Sequence, residues 1–432
     1  MEFTRVEDIL KGKVSGSVSV RGWLHHKRTM GGVHFFLVRD GTGIIQTTWK
    51  KENVGEEVME KVEKLPVESV IMVKGDVKED KRAPGGYEIV VKSYDVISKA
   101  EEDYPIARKY HGPDFLLDHR HLYIRNEKMW AMLKVRAKML EAAREWFKEN
   151  GFTEFHAPIF TAAACEGGST LFPVKYFGKT VYLTQSWQLY GEAAIASVGK
   201  AYTIAPSFRA EKSRTRRHLT EYWHLEVEEP FCDLKGTMKT QEELITHICH
   251  TLAEEVPDLL KMFGREPEYL LSIKPPFPKI TYDEAIQLLK KDGVDIKWGD
   301  DLTWVTEKRL TMKFKVPFFV THYPKSAKAF YHKPDPKRPE VVLCADMLAP
   351  DGYGEIIGGG ERISDVETLI KRIKEEGLKV EDYKWYIDLR RWGTVPHAGF
   401  GLGVERFIMW VLKLDHIRDA IAFPRTINRV YP

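Results

Sequence analysis

Charged side chains are concentrated in one otherwise strand-like segment of the chain, residues 208–228, with the sequence FRAEKSRTRRHLTEYWHLEVE. Arg209, Glu211, Arg216, Arg217 and His218 follow one another closely in it. Arginine offers a planar fork of donors that suits phosphate, so this density of charge on a strand indicates a polyanion facing it. The alternative is a solvated basic loop between two strands.

A second segment, GFGLGVERFIMWVLKL at residues 399–414, could also contact a phosphate. Glycines such as Gly403 let the backbone approach a ligand closely, and Arg406 supplies a fork of donors. The segment is not a dinucleotide-binding fingerprint, because the third glycine and the surrounding strand-turn-helix unit are missing. Taken alone, it also fits a glycine turn that enters an amphipathic helix with Glu405 and Arg406 exposed.

These two segments resemble motifs 2 and 3 of the class II aminoacyl-tRNA synthetases. RAEKSRTRRHL is most similar to the asparaginyl branch of the aspartyl/asparaginyl subgroup, and GFTEFHAPIF, residues 151–160, is similar to motif 1. The three segments occur in the family's order, and the resemblance covers nearly the whole chain. It implies a class II antiparallel catalytic sheet flanked by helices, and a homodimer formed through the GFTEFHAPIF strand region.

The resemblance implies that the chain uses ATP to activate L-asparagine as asparaginyl-adenylate and transfers it to the 3′ end of tRNA(Asn). The amino acid's own carboxylate attacks the α-phosphorus, so positioning and charge neutralisation carry most of the catalysis. By the match, Arg209 bridges the amino-acid carboxylate and the α-phosphate, and Glu211 accepts a hydrogen bond from the adenine amino group. Arg217 and His218 would meet the outer phosphates.

The same match places Arg406, with Gly403 before it, against ATP. It also implies a magnesium ion, which needs hard oxygen ligands and keeps several waters and substrate phosphates as its other ligands. Glu355 and Asp346 are the candidate ligands, because an acidic pair binds the metal at this place in the family. Taken alone, each carboxylate would be read as a surface acid.

Aspartate and asparagine have nearly the same shape, so polar partners must distinguish them. In aspartyl enzymes a QLYK segment supplies a lysine to the substrate carboxylate, whereas Gln188 here begins QLYGE, without that cation. The glycines of EIIGGGER, beginning with Gly358, stand where the aspartyl pattern has serines. We expect Arg362 to donate to the amide oxygen and Glu226 to accept from the amide nitrogen, while Glu166 holds the substrate's ammonium group.

Short strands separated by GG, DGTG and APGG turns fill residues 14–97, with one helix between them. Five such strands predict an OB-type barrel, whose exposed face commonly binds single-stranded nucleic acid. Arg28, Phe35 and Gln46 match the positions that hold anticodon bases in the subgroup, with Phe35 stacking and Gln46 hydrogen-bonding the central U. A barrel without a ligand fits the same pattern, and either Phe35 or Phe36 could belong to its core.

The length of 432 residues predicts two domains. We expect an OB-fold anticodon-binding domain at residues 1–102, a hinge at 103–128 and an α+β catalytic domain with a mostly antiparallel sheet at 129–432. With 66 basic and 63 acidic side chains, the chain has no general basic coat, so RNA contacts must come from local clusters.

The cysteines and the hydropathy pattern bear on where the protein works. Four cysteines without a CxxC pair argue against a disulfide framework or a zinc ribbon. No run of about 18 uncharged apolar residues occurs, so we expect a cytoplasmic protein with no membrane contact.

Three other functions remain open from the sequence. An aspartyl enzyme of relaxed specificity is one, and a paralogue that amidates aspartyl-adenylate to free asparagine is another, although such a paralogue has no use for an anticodon domain. The third is an inactive RNA-binding module, which the presence of Arg209, Glu211, His218, Glu355 and Arg406 argues against.

Overall fold

The computed structural model describes residues 3–106, 109–166, 170–213 and 215–432. Residues 167–169 of the predicted CEGGST loop and residue 214 of the charged segment lie outside the described residues. The chain divides into two compact units, Met1–Gly112 and Pro113–Pro432. This division falls inside the segment predicted as a hinge, residues 103–128, and its later part forms helices of the second unit.

The first unit is a closed five-stranded barrel with the strand order β1-β2-β3-β5-β4, as predicted. Its strands are β1 (Ser17–Met30), β2 (Val33–Arg39), β3 (Ile44–Trp49), β4 (Val70–Glu79) and β5 (Tyr87–Ser98), and its helices are α1 (Val6–Leu10), α2 (Lys51–Val54) and α3 (Glu56–Glu63). Alternate residues of β2 point inward, so Phe36 is 1% exposed in the barrel core while Phe35 lies on the outer face.

The second unit is built on strands and helices that alternate along the chain. Its strands are β6 (Thr153–Glu154), β7 (Phe160–Thr161), β8 (Pro173–Tyr176), β9 (Lys179–Leu183), β10 (Ala201–Phe208), β11 (Glu221–Pro230), β12 (Lys279–Thr281), β13 (Phe318–Thr321), β14 (Cys344–Ala349), β15 (Gly354–Glu361) and β16 (His397–Gly403). Its helices are α4 (Pro113–Asp118), α5 (Arg120–Tyr123), α6 (Glu127–Glu149), α7 (Gln188–Val198), α8 (Leu234–Glu255), α9 (Pro257–Lys261), α10 (Pro267–Leu271), α11 (Tyr282–Lys291), α12 (Trp304–Thr311), α13 (Val366–Glu375), α14 (Lys384–Arg391) and α15 (Val404–Val411).

Eight strands form one sheet with the order β12-β13-β14-β15-β16-β11-β10-β6. All its neighbouring pairs are antiparallel except β6 with β10 and β12 with β13, which are parallel. The predicted α+β class with a mostly antiparallel sheet is therefore confirmed. A separate sheet has the order β7-β9-β8.

The two faces of the large sheet have opposite chemistry. Leu225 and Val227 of β11 join the hydrophobic core that includes residues of α6, α8 and α15, whereas Glu226 and Glu228 point to the other face. Met347 of β14 lies in the same core. Because strand residues alternate between faces, one face packs on helices and the other is available for a site.

The motif 1 segment differs from the prediction of one continuous strand at residues 151–160. It forms two short strands in different sheets, β6 and β7. Pro158, which cannot donate to a strand ladder, lies in the break between them.

Among the described residues, no helix is long and apolar enough to cross a membrane.

Candidate active site

The polar face of the large sheet carries a row of glycines between two carboxylates. Glu226 of β11 is paired with Gly401 of β16, Gly401 with Gly358 of β15, and Gly358 with Asp346 of β14. Three inter-strand steps of about 4.8 Å place the backbones of Glu226 and Asp346 roughly 14 Å apart. Since glycine has no side chain, the row between them forms an open floor on which a ligand can lie.

A cavity of about 530 Å³ lies over this floor. Most of the predicted site residues line it: Glu166, Gln188, Arg209, Arg217, His218, Glu226, Asp346, Glu355, Gly358, Arg362 and Arg406. Glu211 and Gly403, the two remaining active-site predictions, line a smaller cavity of about 110 Å³, which shares Arg209, Arg217 and Arg406 with the larger one. The structure therefore brings all the predicted active-site residues into one connected space.

Arg209 occupies the middle of this space, directly after β10. Its guanidinium carbon lies 5.8 Å from the centre of the Tyr222 ring, and its Nη2 lies 3.9 Å from Oε2 of Glu166. Burial disfavours the charge of Arg209, but Tyr222, Glu166 and Glu211 keep its pKa above the usual value. Its Nε is buried without a hydrogen-bond partner in the described structure, so a donor remains for a ligand.

Arg406 and Arg217 are held around the same glutamate. Nη1 of Arg406 donates to Oε2 of Glu355 at 3.0 Å, and Nη2 of Arg217 donates to the main-chain carbonyl of Glu355 at 2.8 Å. Nη1 of Arg217 donates to Oε2 of Glu307 in α12 at 2.5 Å, and Glu307 also accepts from the Glu355 amide at 3.0 Å. Two cations thus stand at one end of the cavity in fixed orientations.

The motif 3 helix is anchored by the residue before Arg406. Glu405 is 1% exposed, in contrast to the alternative reading of an exposed Glu405-Arg406 pair. Its carboxylate lies 2.7 Å from Nη2 of Arg136 and accepts from the main-chain amide of Trp223 at 2.9 Å. These contacts fix the start of α15, and therefore the direction in which Arg406 extends.

His218 is a neutral donor or acceptor in this site at physiological pH. Burial, followed by the positive charge of Arg406, lowers its pKa to about 4. Its Nδ1 is hydrogen-bonded to the hydroxyls of Thr215 and Ser213, which leaves Nε2 near Glu211 at 3.6 Å. The histidine can therefore contact a phosphate by a hydrogen bond without adding a charge.

Asp346 and Glu355 border one small space beside Gly358. A Cβ atom at Gly358 would lie 3.1 Å from Oε1 of Glu355 and 3.5 Å from Oδ1 of Asp346. Oδ2 of Asp346 accepts from Lys328 at 2.5 Å, whereas the buried Oδ1 has no hydrogen-bond partner among the described residues. Two carboxylate oxygens facing one space fit a magnesium ion that takes its other ligands from water and phosphate.

The protein supplies no larger metal cage in the part of the chain that the structure describes, where no cluster of three or more His, Cys, Asp or Glu side chains could hold an ion. Burial raises the pKa of Asp346 to about 7, against the charge of Lys328. Burial also opposes the charge of Glu355, but Arg406, Lys328 and Arg217 lower its pKa to about 2. A cation next to Asp346 would favour its ionised form.

The opposite end of the cavity holds the residues predicted to read the amino-acid side chain. Glu226 is 4% exposed; it accepts from the Ser186 hydroxyl and, at 2.8 Å, from the amide of Trp187. Arg362 is also buried, and its Nε and Nη2 donate to Glu228 at 3.1 and 2.6 Å. Nε and one N–H of Nη2 are thus used, so the two N–H groups of Nη1 and the second N–H of Nη2 remain for the predicted contact with an amide oxygen.

No cation stands where the aspartyl pattern has its lysine. A Cβ atom at Gly191 would lie 2.1 Å from the Trp187 ring, so this position has no room for a side chain. Gln188, one turn earlier in α7, donates its Nε2 to Glu192 at 3.0 Å. The Gln188 amide therefore lines the cavity here, and the Trp187 ring excludes a side chain at position 191.

The three predicted anticodon residues share the outer face of the barrel. Arg28 and Phe35 are register partners on β1 and β2, with the guanidinium carbon 5.4 Å from the ring centre. Gln46 of β3 faces the same way and donates Nε2 to the buried Glu88 at 3.0 Å, while Thr48 donates to the same carboxylate oxygen at 2.5 Å. A stacking ring, a cation and an oriented amide are the groups used to read unstacked bases.

Comparison with known proteins identifies a matching family for each of the two units. Residues 112–427 match the family described as class II tRNA synthetases (D, K and N), and residues 18–97 match the OB-fold nucleic acid binding domain. The asparagine–tRNA ligase of Pyrococcus furiosus is 51% identical over 431 residues, which are 99% of this chain and 98% of that protein. The chain belongs to the asparagine–tRNA ligase family. The family's member from Chloroflexus aurantiacus is 48% identical over 427 residues, 97% of each chain.

Solved structures of the family have the same fold. The asparaginyl-tRNA synthetase of Pyrococcus horikoshii, complexed with asparaginyl-adenylate, superposes with a TM-score of 0.96 at 49% identity over 100% of both chains. The Entamoeba histolytica asparaginyl-tRNA synthetase, also with asparaginyl-adenylate, gives 0.89 at 34% identity over 97% of both. An aspartyl-tRNA synthetase from the same organism gives 0.84 at 28% identity. The family and the fold predicted from the sequence are thus confirmed.

Several residues that contact the predicted site residues of either unit could not be found from the sequence. Lys328 and Tyr331, which contact Asp346 and Glu166, lie in a stretch, KAFYHK, that matches none of the three motifs. Glu307 lies in a helix between motifs 2 and 3, and Glu88 looks like one of many surface acids in the strand YEIVV. Lys328, Glu307 and Glu88 are ordinary charged residues in segments without a motif, and nothing in the sequence distinguishes Tyr331.

Proposed function

We propose that this chain activates L-asparagine with ATP and transfers the asparaginyl group to the terminal ribose of tRNA(Asn). The observation that carries this proposal is the cavity over the glycine floor, which has the arginines suited to phosphate at one end. Its other end presents Glu226 as a hydrogen-bond acceptor and Arg362 as a donor, the two kinds of partner that a carboxamide needs. The asparagine carboxylate attacks the α-phosphorus and pyrophosphate leaves. The ribose hydroxyl then attacks the carbonyl carbon and AMP leaves.

In this reaction the chain's own residues position and neutralise the reacting groups. Arg209 lines the cavity next to Glu166, and in this proposal it bridges the amino-acid carboxylate and the α-phosphate as charge develops in the transition state. Arg406, Arg217 and His218 hold the outer phosphates, and Glu211 with the backbone at Gly403 faces the adenine in the smaller cavity. Glu166, held by the Tyr331 hydroxyl, accepts from the ammonium group.

Asn specificity in this proposal depends on hydrogen-bond polarity. Glu226 accepts from the carboxamide nitrogen, and an N–H of Arg362 that does not contact Glu228 donates to the carboxamide oxygen. An aspartate carboxylate would face Glu226 with no proton to donate, and a wrongly paired buried polar group costs about 1–3 kcal/mol. The absence of a cation at Gly191 removes the compensating attraction.

Exchange of pyrophosphate into ATP tests the amino-acid assignment directly. We expect exchange driven by asparagine and little by aspartate, followed by charging of tRNA(Asn) but not of the aspartate tRNA. Equal or better exchange with aspartate would contradict the proposal. It would favour an aspartyl enzyme of relaxed specificity instead.

Magnesium would be held by Asp346 and Glu355 together with phosphate oxygens, and would neutralise phosphate charge when bound. We expect Asp346→Asn to raise the magnesium concentration needed for half-maximal exchange by about tenfold, the effect of ~1.4 kcal/mol. Asp351→Asn, at an exposed position after the same strand, is the matched control. An unchanged magnesium requirement in Asp346→Asn would show that this pair is not the metal site.

Two further parts of the proposal concern assembly and location. Large apolar side chains near motif 1 are exposed, with Phe160 at 48%, Tyr176 at 42% and Phe177 at 93%. We assign this surface to a homodimer. Phe177→Ser should therefore shift the mass measured by sedimentation velocity from dimer toward monomer. An unchanged mass would place the interface elsewhere.

A cytoplasmic location belongs to the proposal, because ribosomes use the product there.

A further inference from the structure

A fully buried carboxylate, Glu192, lies behind the wall of the cavity. Its Oε1 accepts from Nε2 of Gln188 at 3.0 Å and from the Tyr386 hydroxyl at 2.6 Å. Its Oε2 accepts from Nη2 of Arg390 and contacts Nε2 of His397 at 2.9 Å. Residues from α7, α14 and β16 therefore converge on one side chain that has no contact with solvent.

Because Glu192 is charged, the side-chain amide of Gln188 can take only one of its two orientations. Although burial opposes ionisation, Arg390 and His397 hold the pKa of Glu192 below its usual value. An ionised carboxylate accepts hydrogen bonds and cannot donate them, so Gln188 must turn its NH₂ group toward Glu192. Its carbonyl oxygen is then the atom that remains for the cavity, which Gln188 lines.

Gln188 lies at the same end of the cavity as Glu226. The Ser186 hydroxyl donates to Glu226 and accepts from the main-chain amide of Gln188 at 3.2 Å, so the Glu226 carboxylate is held near the first residue of α7. Gln188 and Glu226 both line the cavity, so two acceptor groups are available to the same ligand. A primary carboxamide has two N–H donors, whereas an ionised carboxylate has none.

We propose that Glu192 is a positioning residue for amino-acid specificity: it fixes Gln188 with its oxygen toward the cavity, where that oxygen accepts one carboxamide hydrogen of asparagine and Glu226 accepts the other. This inference rests on the proposed function. Aspartate would place a carboxylate against two acceptors, and the buried Glu192 prevents Gln188 from turning over to offer its NH₂ group instead. Glu192, which lies behind the pocket wall, thereby determines the selectivity for asparagine over aspartate.

The variant Glu192→Gln reverses this polarity without changing side-chain size. Arg390, which can only donate, still requires an acceptor, so the new amide must turn its oxygen toward Arg390 and its NH₂ group toward Gln188. Gln188 then presents its own NH₂ group to the cavity. We expect the ratio of kcat/KM for asparagine to that for aspartate, measured by pyrophosphate exchange, to fall by about tenfold or more, the effect of one misdirected buried hydrogen bond. The KM for ATP should stay within about twofold.

The double variant Glu192→Gln with Gln188→Glu supplies the rescue. In this variant the amide at position 192 donates to the carboxylate at position 188, whose other oxygen again provides an acceptor in the cavity. The asparagine preference should therefore return. Tyr386→Phe removes a different donor from the same Oε1 and is the matched control, with the ratio expected to be unchanged.

The outcomes separate this inference from the proposed function. A wild-type protein without asparagine preference would overturn the function itself. If the wild type prefers asparagine, then an unchanged ratio in Glu192→Gln, an equal loss for both amino acids, or a failed rescue would overturn the role of Glu192. Should Glu192→Gln not fold, Gln188→Leu keeps the buried ion cluster intact, and a wild-type ratio in that variant would overturn the inference equally.

Discussion

Glu226 shows how one buried side chain can make amino-acid choice depend on pH. Burial raises its pKa to about 7, against the hydrogen bonds from Ser186 and the Trp187 amide. Below that pH the carboxyl group is increasingly neutral and no longer repels an aspartate carboxylate. His224 beside it does not titrate in this range, because burial lowers its pKa to about 3.

We therefore expect the asparagine-to-aspartate ratio of kcat/KM to rise between pH 6 and pH 8, by at most about tenfold per pH unit because one proton is involved. Pyrophosphate exchange at constant ionic strength measures this. Glu226→Gln should give a ratio that is flat with pH. A pH dependence that persists in that variant would contradict the assignment to Glu226 and make Glu228, whose pKa burial also raises, the next group to test.

The residues of the site could be predicted where a motif carried them, and their supporting partners could not. Arg209, Arg406 and Glu355 stand in segments whose composition is unusual for strands and helices. Glu192 meets Tyr386 across 194 positions of sequence, and Arg217 meets Glu307 across 90. Such contacts depend on how distant elements pack, which no local pattern encodes.

At the scale of elements, α12 links the motif 2 strand region to β15. Its Glu307 accepts from both the Arg217 side chain and the Glu355 main-chain amide, so one carboxylate orients an arginine predicted to bind phosphate and a candidate metal ligand. Removing it would leave the buried Arg217 guanidinium without its ionic partner, which is costly in a low-dielectric site.

We expect Glu307→Ala to raise the KM for ATP by about tenfold, the effect of ~1.4 kcal/mol, with the KM for asparagine nearly unchanged. Steady-state exchange with each substrate varied in turn gives both constants. Lys308→Ala, at an exposed position of the same helix, is the control. Equal increases in both KM values would mean that α12 supports the fold of the whole site rather than the ATP end.

Among the features of the secondary-structure elements, the order of the strands in the large sheet could not be predicted from the sequence. Alternating apolar residues identified most strands, but they did not show that β16 lies between β15 and β11. That order is what brings Gly401 between Glu226 and Gly358 to form the floor. Pairing between distant strands follows from packing both faces of the sheet, so short-range patterns cannot specify it.

At the scale of the molecule, the proposed function assigns two recognition tasks to two compact units. In that proposal the residues for amino-acid activation lie around the cavity in Pro113–Pro432, whereas Arg28, Phe35 and Gln46 all lie on the barrel of the first unit. Phe36, not Phe35, fills the barrel core. A change at Phe35 can therefore alter RNA binding without creating a cavity in the core.

We expect Phe35→Ala to lower kcat/KM for tRNA(Asn) charging by about tenfold or more, because stacking on one base is worth about 1–3 kcal/mol. Asparagine-dependent pyrophosphate exchange should remain at the wild-type level, because adenylate formation does not use the anticodon. Lys61→Ala, at an exposed position of α3, is the matched control for both assays. Loss of exchange together with loss of charging would mean that Phe35 supports the fold. Charging at the wild-type rate would mean that this face of the barrel does not bind the RNA.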